Sequence, residues 1–498
     1  MLKKRHSMPH LEYDAIVVGS GPNGLSAAIT LQQAGLGVLL IEGKATIGGG
    51  MRTQALTLPG FLHDVCSAIH PMAAGSPFFN GLPLGKFGLE FLYPAVYAAH
   101  PFDDGSCAVL KKSIAETIGT LKQDAGAYEK LMLPLLRNWE DIASDVLGPL
   151  RLPGHPLAMA RFSLKAFLPA VSLAKRFAGI PARGLWAGMA AHAMEPLSNV
   201  SSSAIGLVLL AMGHLRGWPV VKGGSGRLAD ALAAYFMSLG GKIETGTYIT
   251  SLDQLPRSRA VILDVTPRQL LQMAGHKLSG LYQRQLRRYR YGMGVFKIDW
   301  ALREAIPFRA ADCRQAGTVH LGGTLEEIAC AEKATWKGTH PERPFVLLAQ
   351  QSMIDPSRAP RGAQTAWAYC HVPNGSELDM TQIIENQVER FAPGFRDVIL
   401  ARHVFSPSEM EAYNPNYIGG DINGGAIDIG QLFTRPALRR SVYRTSSKGL
   451  YLCSASTPPG GGVHGMCGYH AANRVLKDLF NTGFPARHIN SAKSNSGS

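Results

Sequence analysis

The sequence is short of acid. Its 498 residues hold 36 Asp and Glu against 50 Lys and Arg, a formal net charge of +14, and that balance favours an anionic partner. Phosphorylated cofactor, anionic lipid and nucleic acid all qualify. Zinc-finger spacing and the aromatic signature of RNA-binding modules are missing, so no nucleic-acid partner is expected. Cysteine is sparse: seven thiols, at 66, 107, 313, 330, 370, 453 and 467, with no C-x-x-C pair. An odd, scattered set suits reduced thiols in a reducing compartment and excludes a redox disulfide of the C-x-x-C type. Long apolar runs are absent too. The most apolar stretch, AIGLVLLAMG at 204–213, is well short of the roughly 20 residues a bilayer span needs. The opening MLKKRHSMPHLEYD is basic and has no apolar h-region, so no secretory signal is expected ahead of the first strand. The expected setting is cytoplasmic, in solution or on a membrane surface. Neither a Ser-His-Asp arrangement nor a metal-ligand spacing is visible, so no metal is expected.

What is present is a globular composition, 46% hydrophobic and 17% charged, in a chain of 53.5 kDa, too long for one ordinary core. Two domains are expected. YDAIVV (13–18) reads as a short apolar strand. Gly19-Ser-Gly21-Pro-Asn-Gly24 follows, then LSAAITLQQAG as an amphipathic helix and GVLLIE as a second strand ending in Glu42. Gly19 and Gly21 permit a tight turn and close backbone approach to a pyrophosphate, and Gly24 lets helix and strand pack closely. The helix N-terminus supplies donors and positive potential, and Glu42 is placed to accept from a ribose hydroxyl. The alternative is a merely structural glycine turn. A second glycine cluster, PPGGGVHGMCG, lies at 458–468 between a strand-like GLYLCSAS (449–456) and a helix-like CGYHAANRVLKDLF (467–480).

A third run, GGGMRT at 48–53, completes a pattern. GSGPNGL, the acid, GGGMRT and the C-terminal LYLCSASTPPGGGVHGMCG together resemble the phytoene-dehydrogenase-like branch of the FAD-dependent amine-oxidase superfamily. KGGSGRLADALAAYFMSLGGKIETGTYITSL (222–252) is similar to that family's central βαβ stretch, and RYGMGVFKIDWAL (290–302 with its leading arginine) to a strand crossing beneath the flavin. The resemblance implies an α/β protein with a Rossmann-like FAD-binding domain assembled from discontinuous segments, plus a mixed α/β substrate domain with a helical cap. The implied division is 11–79, 221–290 and 446–485 for the cofactor domain, 80–220 for substrate domain and cap, 291–445 for the rest of the substrate domain, and 486–498 as a disordered tail. Carried over residue by residue, it implies FAD contacts from Gly19, Gly21, Gly24 and Glu42, from Gly49, Gly50, Arg52 and Thr53, from Ile249, and from Ser454, Gly461, Gly462, Val463 and His464. The two glycine clusters would then serve opposite ends of one long cofactor.

A flavin carries hydride chemistry itself, so the protein must orient substrate, exclude water and tune the ring. Lys297, alternating with apolar neighbours in GVFKIDW, needs a partner for its ammonium if it is buried. The resemblance implies a water held at flavin N5; the alternatives are a half-exposed surface lysine or a pair with Asp299. His464 either donates toward the reduced ring or caps the following helix. Tyr469 matches a position of the substrate cage in amine oxidases, or packs in the helix core. His63 and His70 line the same cavity or serve core or surface roles, while Cys66, Cys453 and Cys467 are expected as small buried apolar residues. Thr46 and Gly50 replace arginines of many amine oxidases, and Ala455 an acid. The expected activity is hydride transfer from a carbon of an apolar, lipid- or isoprenoid-like substrate to flavin N5. The alternatives are an amine oxidase using oxygen and a flavin-loaded binding or assembly protein at a membrane. Between His155 and Arg216 six basic residues face one acid, Glu195, which suits either a solvated helical cap or peripheral contact with anionic membrane. The oligomeric state stays open.

Overall fold

The computed structural model describes residues 11–481. The basic residues 1–10 and the stretch 482–498, with the tail expected to be disordered, lie outside the described residues. Two sheets organise the chain. The first has five parallel strands, in the order Leu450–Leu452, Ser258–Leu263, Tyr13–Val18, Val38–Ile41 and Lys242–Glu244. It draws on the beginning, middle and end of the chain, as the expected discontinuous Rossmann-like fold requires. Its inner strands, such as Val38–Ile41, are buried apolar runs, while the edge strand Lys242–Glu244 exposes both its charged residues. The helix Pro22–Gln33 starts with proline at its first turn, and Gly24, Ser26, Ala27 and Ala28 are all buried. Small residues are needed there. A Cβ on Gly468, in the helix Met466–Val475, would lie 1.8 Å from the Asn23 carbonyl, so the two helices meet backbone to backbone.

The second sheet has seven strands, in the order Ile399–Phe405, Gly294–Leu302, Gln364–Val372, Val346–Ala349, Ala316–Leu321, Val96–Pro101 and Cys107–Leu110. All neighbours are antiparallel except Ala316–Leu321 with Val96–Pro101. Side chains alternate between its faces. Phe296, Ile298, Trp300 and their cross-strand neighbours fill an apolar core under α-helix Thr381–Phe391. The other face carries Lys297, Asp299, Thr318, His320, Trp367 and Tyr369, and it looks toward the first sheet.

The stretch 80–220 contributes two strands, Val96–Pro101 and Cys107–Leu110, which form one edge of the seven-stranded sheet. The stretch 222–252, likened to a central βαβ unit, holds one α-helix, Gly226–Ser238, and one strand, Lys242–Glu244; the strand just before it, Val220–Val221, pairs antiparallel with Phe91–Leu92 outside the parallel sheet. The helices expected in 155–216 are present, as Pro156–Ala166, Ile180–Ala191 and Ser203–Arg216. Ser203–Arg216 is apolar because it is buried, and no single helix among the described residues is long and apolar enough to cross a membrane.

Candidate dinucleotide and substrate cavity

The first strand ends in a turn only glycine adopts easily. Gly19 has φ +99°, and a Cβ on Gly24 would sit 1.8 Å from the Gly19 carbonyl oxygen. The helix that follows has no side-chain cap and no acid in its first turn. Gly21, Pro22 and Asn23 line a cavity of about 440 Å³, so the helix N-terminus, where the Gly21 and Asn23 amides have no partner among the described residues, opens into it. Glu42 borders the same space. Its carboxylate accepts from the Ser20 amide (3.0 Å), the Ser20 hydroxyl (2.5 Å) and the Lys44 amide (2.9 Å), and Arg52 approaches to 3.3 Å. Arg52 also donates to the carbonyls of Thr46 and Gly49 and lies 5.5 Å from the Tyr413 ring centroid, which fixes the GGGMRT turn. Gly49 and Gly50 line the cavity with it.

Sequence reasoning missed Asp264. It ends the strand Ser258–Leu263, accepts from the Gly24 amide at 3.1 Å and lines the cavity. Burial pushes its carboxyl up to about 7, opposed by that hydrogen bond. The only signal was an apolar run closed by an acid, SRAVILD, repeating the pattern of GVLLIE.

The C-terminal glycine loop reaches the same cavity through Gly462 and Val463, joined by Ser454 and, from the central segment, Ile249. Four expected contacts stand back from it. Gly24 supports the loop from behind. Thr53 donates to Asp64 (2.8 Å) and accepts from the Gly226 amide (3.0 Å), tying the first segment to the central one. Gly461 packs on Asn423. His464 is buried, its Nδ1 accepts the Met466 amide at 3.0 Å, and its own carbonyl accepts from Ser76 at 2.6 Å. Burial pulls its imidazole down to about 4, so it is neutral and caps the helix Met466–Val475. With Nδ1 accepting, the neutral ring carries its proton on Nε2, and the residue stands off the cavity wall.

Across the cavity lies the polar face of the seven-stranded sheet. Trp367 and Tyr369, two residues apart on one strand, stack with centroids 5.6 Å apart and planes at 20°. Lys297 sits opposite Tyr369 in register and Asp299 opposite Trp367. Lys297 is 2% exposed, pairs with Asp299 and lies 5.4 Å from the Trp367 ring centroid, so it is a buried ion-pair partner behind the aromatic wall. The surface alternative is excluded. His63 joins this buried set, its Nδ1 3.6 Å from Asp299, with burial and Lys297 pulling it down to about 3. His70 does line the cavity, with Nε2 2.8 Å from the Ser225 hydroxyl. Tyr469 does not: its ring packs 5.4 Å from Phe78 in the helical core, because the helix turns that face toward residues 77–80. Cys453 and Cys467 are buried as expected, whereas Cys66 is only partly buried and lines the cavity.

Residues 17–79 match the model of an NAD(P)-binding Rossmann-like domain. Along 94% of both chains the protein is 29% identical to pyridine nucleotide-disulfide oxidoreductase domain-containing protein 2 of Rattus norvegicus. It is 24% identical to the lycopene-forming phytoene desaturase of Paracoccus sp., over 93% of this chain and 97% of that protein. Cyclohexylamine oxidase from Brevibacterium oxydans has the same fold, with a TM-score of 0.59 at 15% identity over 94% of this chain and 99% of that one. The chain is an oxidoreductase with the fold of the FAD-dependent amine-oxidase superfamily. The superfamily's members are flavoproteins, and in this oxidoreductase the dinucleotide loop and the aromatic wall face one shared cavity.

Proposed function

We propose that the chain binds FAD non-covalently and, like phytoene dehydrogenases, takes a hydride from a carbon of an apolar, lipid- or isoprenoid-like substrate. The observation carrying this reading is the continuity of one cavity from the Gly19–Gly21 turn, past Gly462 and Val463, to Trp367 and Tyr369. Its residues fit such a cofactor. The helix N-terminus, where the Gly21 and Asn23 amides have no partner among the described residues, suits a pyrophosphate, Glu42 is held rigidly for a ribose hydroxyl, and Gly462, with φ +121°, brings backbone alone to the cavity. When bound, the flavin supplies the hydride acceptor. The chain supplies position and dryness: the stacked aromatics and Leu347 offer an apolar surface that orients a chain and excludes water. Among the described residues the only carboxylates on the cavity wall are Glu42 and Asp264, and both are engaged by hydrogen bonds from the dinucleotide loop. A substrate ammonium has no anion waiting for it.

The purified protein is therefore expected to be yellow. Anaerobic addition of isoprenoid or fatty-chain compounds should bleach it and leave an alkene, identified by mass spectrometry. Imine formation from amines instead, or a protein that takes up no FAD, overturns the proposal.

We propose also that the substrate is collected at an anionic membrane surface. Helix Pro156–Ala166 turns Leu157, Arg161 and Leu164 outward at helical spacing, and Leu152 and Phe167 flank it, exposed. Apolar residues interleaved with cations suit an interfacial helix. Liposomes containing anionic lipid should sediment with the protein, and salt should reverse this, since exposed charges are screened over about 8 Å at physiological ionic strength. Equal partitioning onto neutral liposomes, or none onto either, rules it out.

A further inference from the structure

At the end of the cavity away from the dinucleotide loop, His192 lines the wall beside Leu209, Trp218 and Thr318. It follows directly on the helix Ile180–Ala191. Its Nε2 lies 2.9 Å from Nε2 of His320, which the strand Ala316–Leu321 projects from the polar face of the sheet. Burial, with His371 adding to it, pulls His192 down to about 3, and burial holds His320 well below the usual imidazole range. Both rings are neutral, so a single proton lies between the two Nε2 atoms.

The surroundings decide which ring carries it. His320 is fully buried, and its Nδ1 has no hydrogen-bond partner. It faces helix backbone at Gly188, where an added Cβ would lie only 2.7 Å from that nitrogen. A buried N–H without an acceptor is rarer and costlier than a buried lone pair without a donor. His320 therefore keeps its proton on Nε2 and donates to Nε2 of His192. His192, being neutral, then carries its own proton on Nδ1. That nitrogen makes no hydrogen bond with the described residues, and the ring is only partly buried at the cavity wall.

Resting on the proposed function, we infer that His192 Nδ1–H is the recognition group for an oxygen acceptor, a carbonyl or hydroxyl, on an otherwise apolar substrate, and that His320 is the positioning residue that fixes its tautomer. A pure hydrocarbon would leave the donor unpaired against an apolar neighbour, and an ammonium would meet a donor where it needs an acceptor.

The test uses the flavin-loaded protein and three probes of matched length: 2-tridecanone, tridecane and tridecylamine. Affinities are read by calorimetry under anaerobic conditions, without turnover. The parent is expected to bind the ketone about tenfold tighter than either other probe, the scale of one neutral hydrogen bond. His192→Phe should erase the ketone preference while leaving tridecane affinity and flavin content unchanged, and it should lower the melting midpoint, because the buried His320 N–H loses its acceptor. His192→Gln, which retains a donor, should restore part of it. His320→Phe should weaken ketone binding and spare tridecane, whereas a purely structural role would weaken both alike. Retention of the preference in His192→Phe, or tightest binding of the amine by the parent, overturns the assignment. Either result leaves the hydride-transfer proposal to its own product analysis.

Discussion

Gly24→Ala should yield a colourless protein. An added methyl would lie 1.8 Å from the Gly19 carbonyl oxygen and 2.9 Å from its carbon, both backbone atoms that no rotamer change can move aside. The loop cannot yield locally. Gly19 is already at φ +99°, and the Gly24 amide is committed to Asp264 at 3.1 Å. Relief requires the turn to swing away from the helix, which misaligns the amides that would meet a pyrophosphate. Each hydrogen bond to a charged group contributes about 1.5–3 kcal/mol, so losing two lowers affinity at least about a hundredfold. Flavin absorbance of the purified protein and calorimetric titration with FAD measure this. Gly126→Ala is the control, since nothing lies within 4 Å of its Cβ and it sits in the helix Ala125–Arg137. It should bind as the parent does and be slightly more stable. Full FAD occupancy in the Gly24 variant would remove the dinucleotide assignment.

The first loop was legible because everything it needs is local: an apolar strand, glycines at fixed offsets, a helix and an acid within residues 13–42. Asp264 was not, because it lies 240 residues from the amide it holds, and only the parallel pairing of Ser258–Leu263 with Tyr13–Val18 brings them together. Strand periodicity correctly put Lys297 and Asp299 on one face. It could not say that Trp367, their neighbour on the same face, would line the cavity while Lys297 does not. Tyr469 shows the opposite error. Its chain position matched a substrate cage, but the face a helix presents is set by what packs on it, and here Phe78 does. His192 gave no signal at all. A histidine after a helix reads as a cap, and its meaning rests on a strand more than a hundred residues later.

Lys297→Met should destabilise the fold severely and spare the cavity chemistry. Lys297 and Asp299 are 2% and 0% exposed, they pair directly, and the nearby His63 is neutral, so among the described residues no other cation touches the carboxylate. Removing one member of such a pair strands the other, at a cost of about 3–5 kcal/mol. The stranded carboxylate escapes by taking a proton. Burial already raises Asp299 to about 6 with Lys297 opposing, and without the lysine it rises further. A carboxyl whose folded pKa exceeds its unfolded value favours the folded state in acid and loses that advantage as pH rises toward the folded value. The deficit relative to the parent should thus be largest near pH 8 and shrink toward pH 5.5. Urea denaturation at both pH values reads it. Lys297→Met/Asp299→Leu should recover most of the loss, because a pair of apolar residues needs no partner. Flavin reoxidation by oxygen, followed by stopped flow, should match the parent, since Lys297 lies behind Trp367 rather than on the cavity wall. A normally stable Lys297→Met protein that reoxidises slowly would reverse this placement and return the lysine to the flavin.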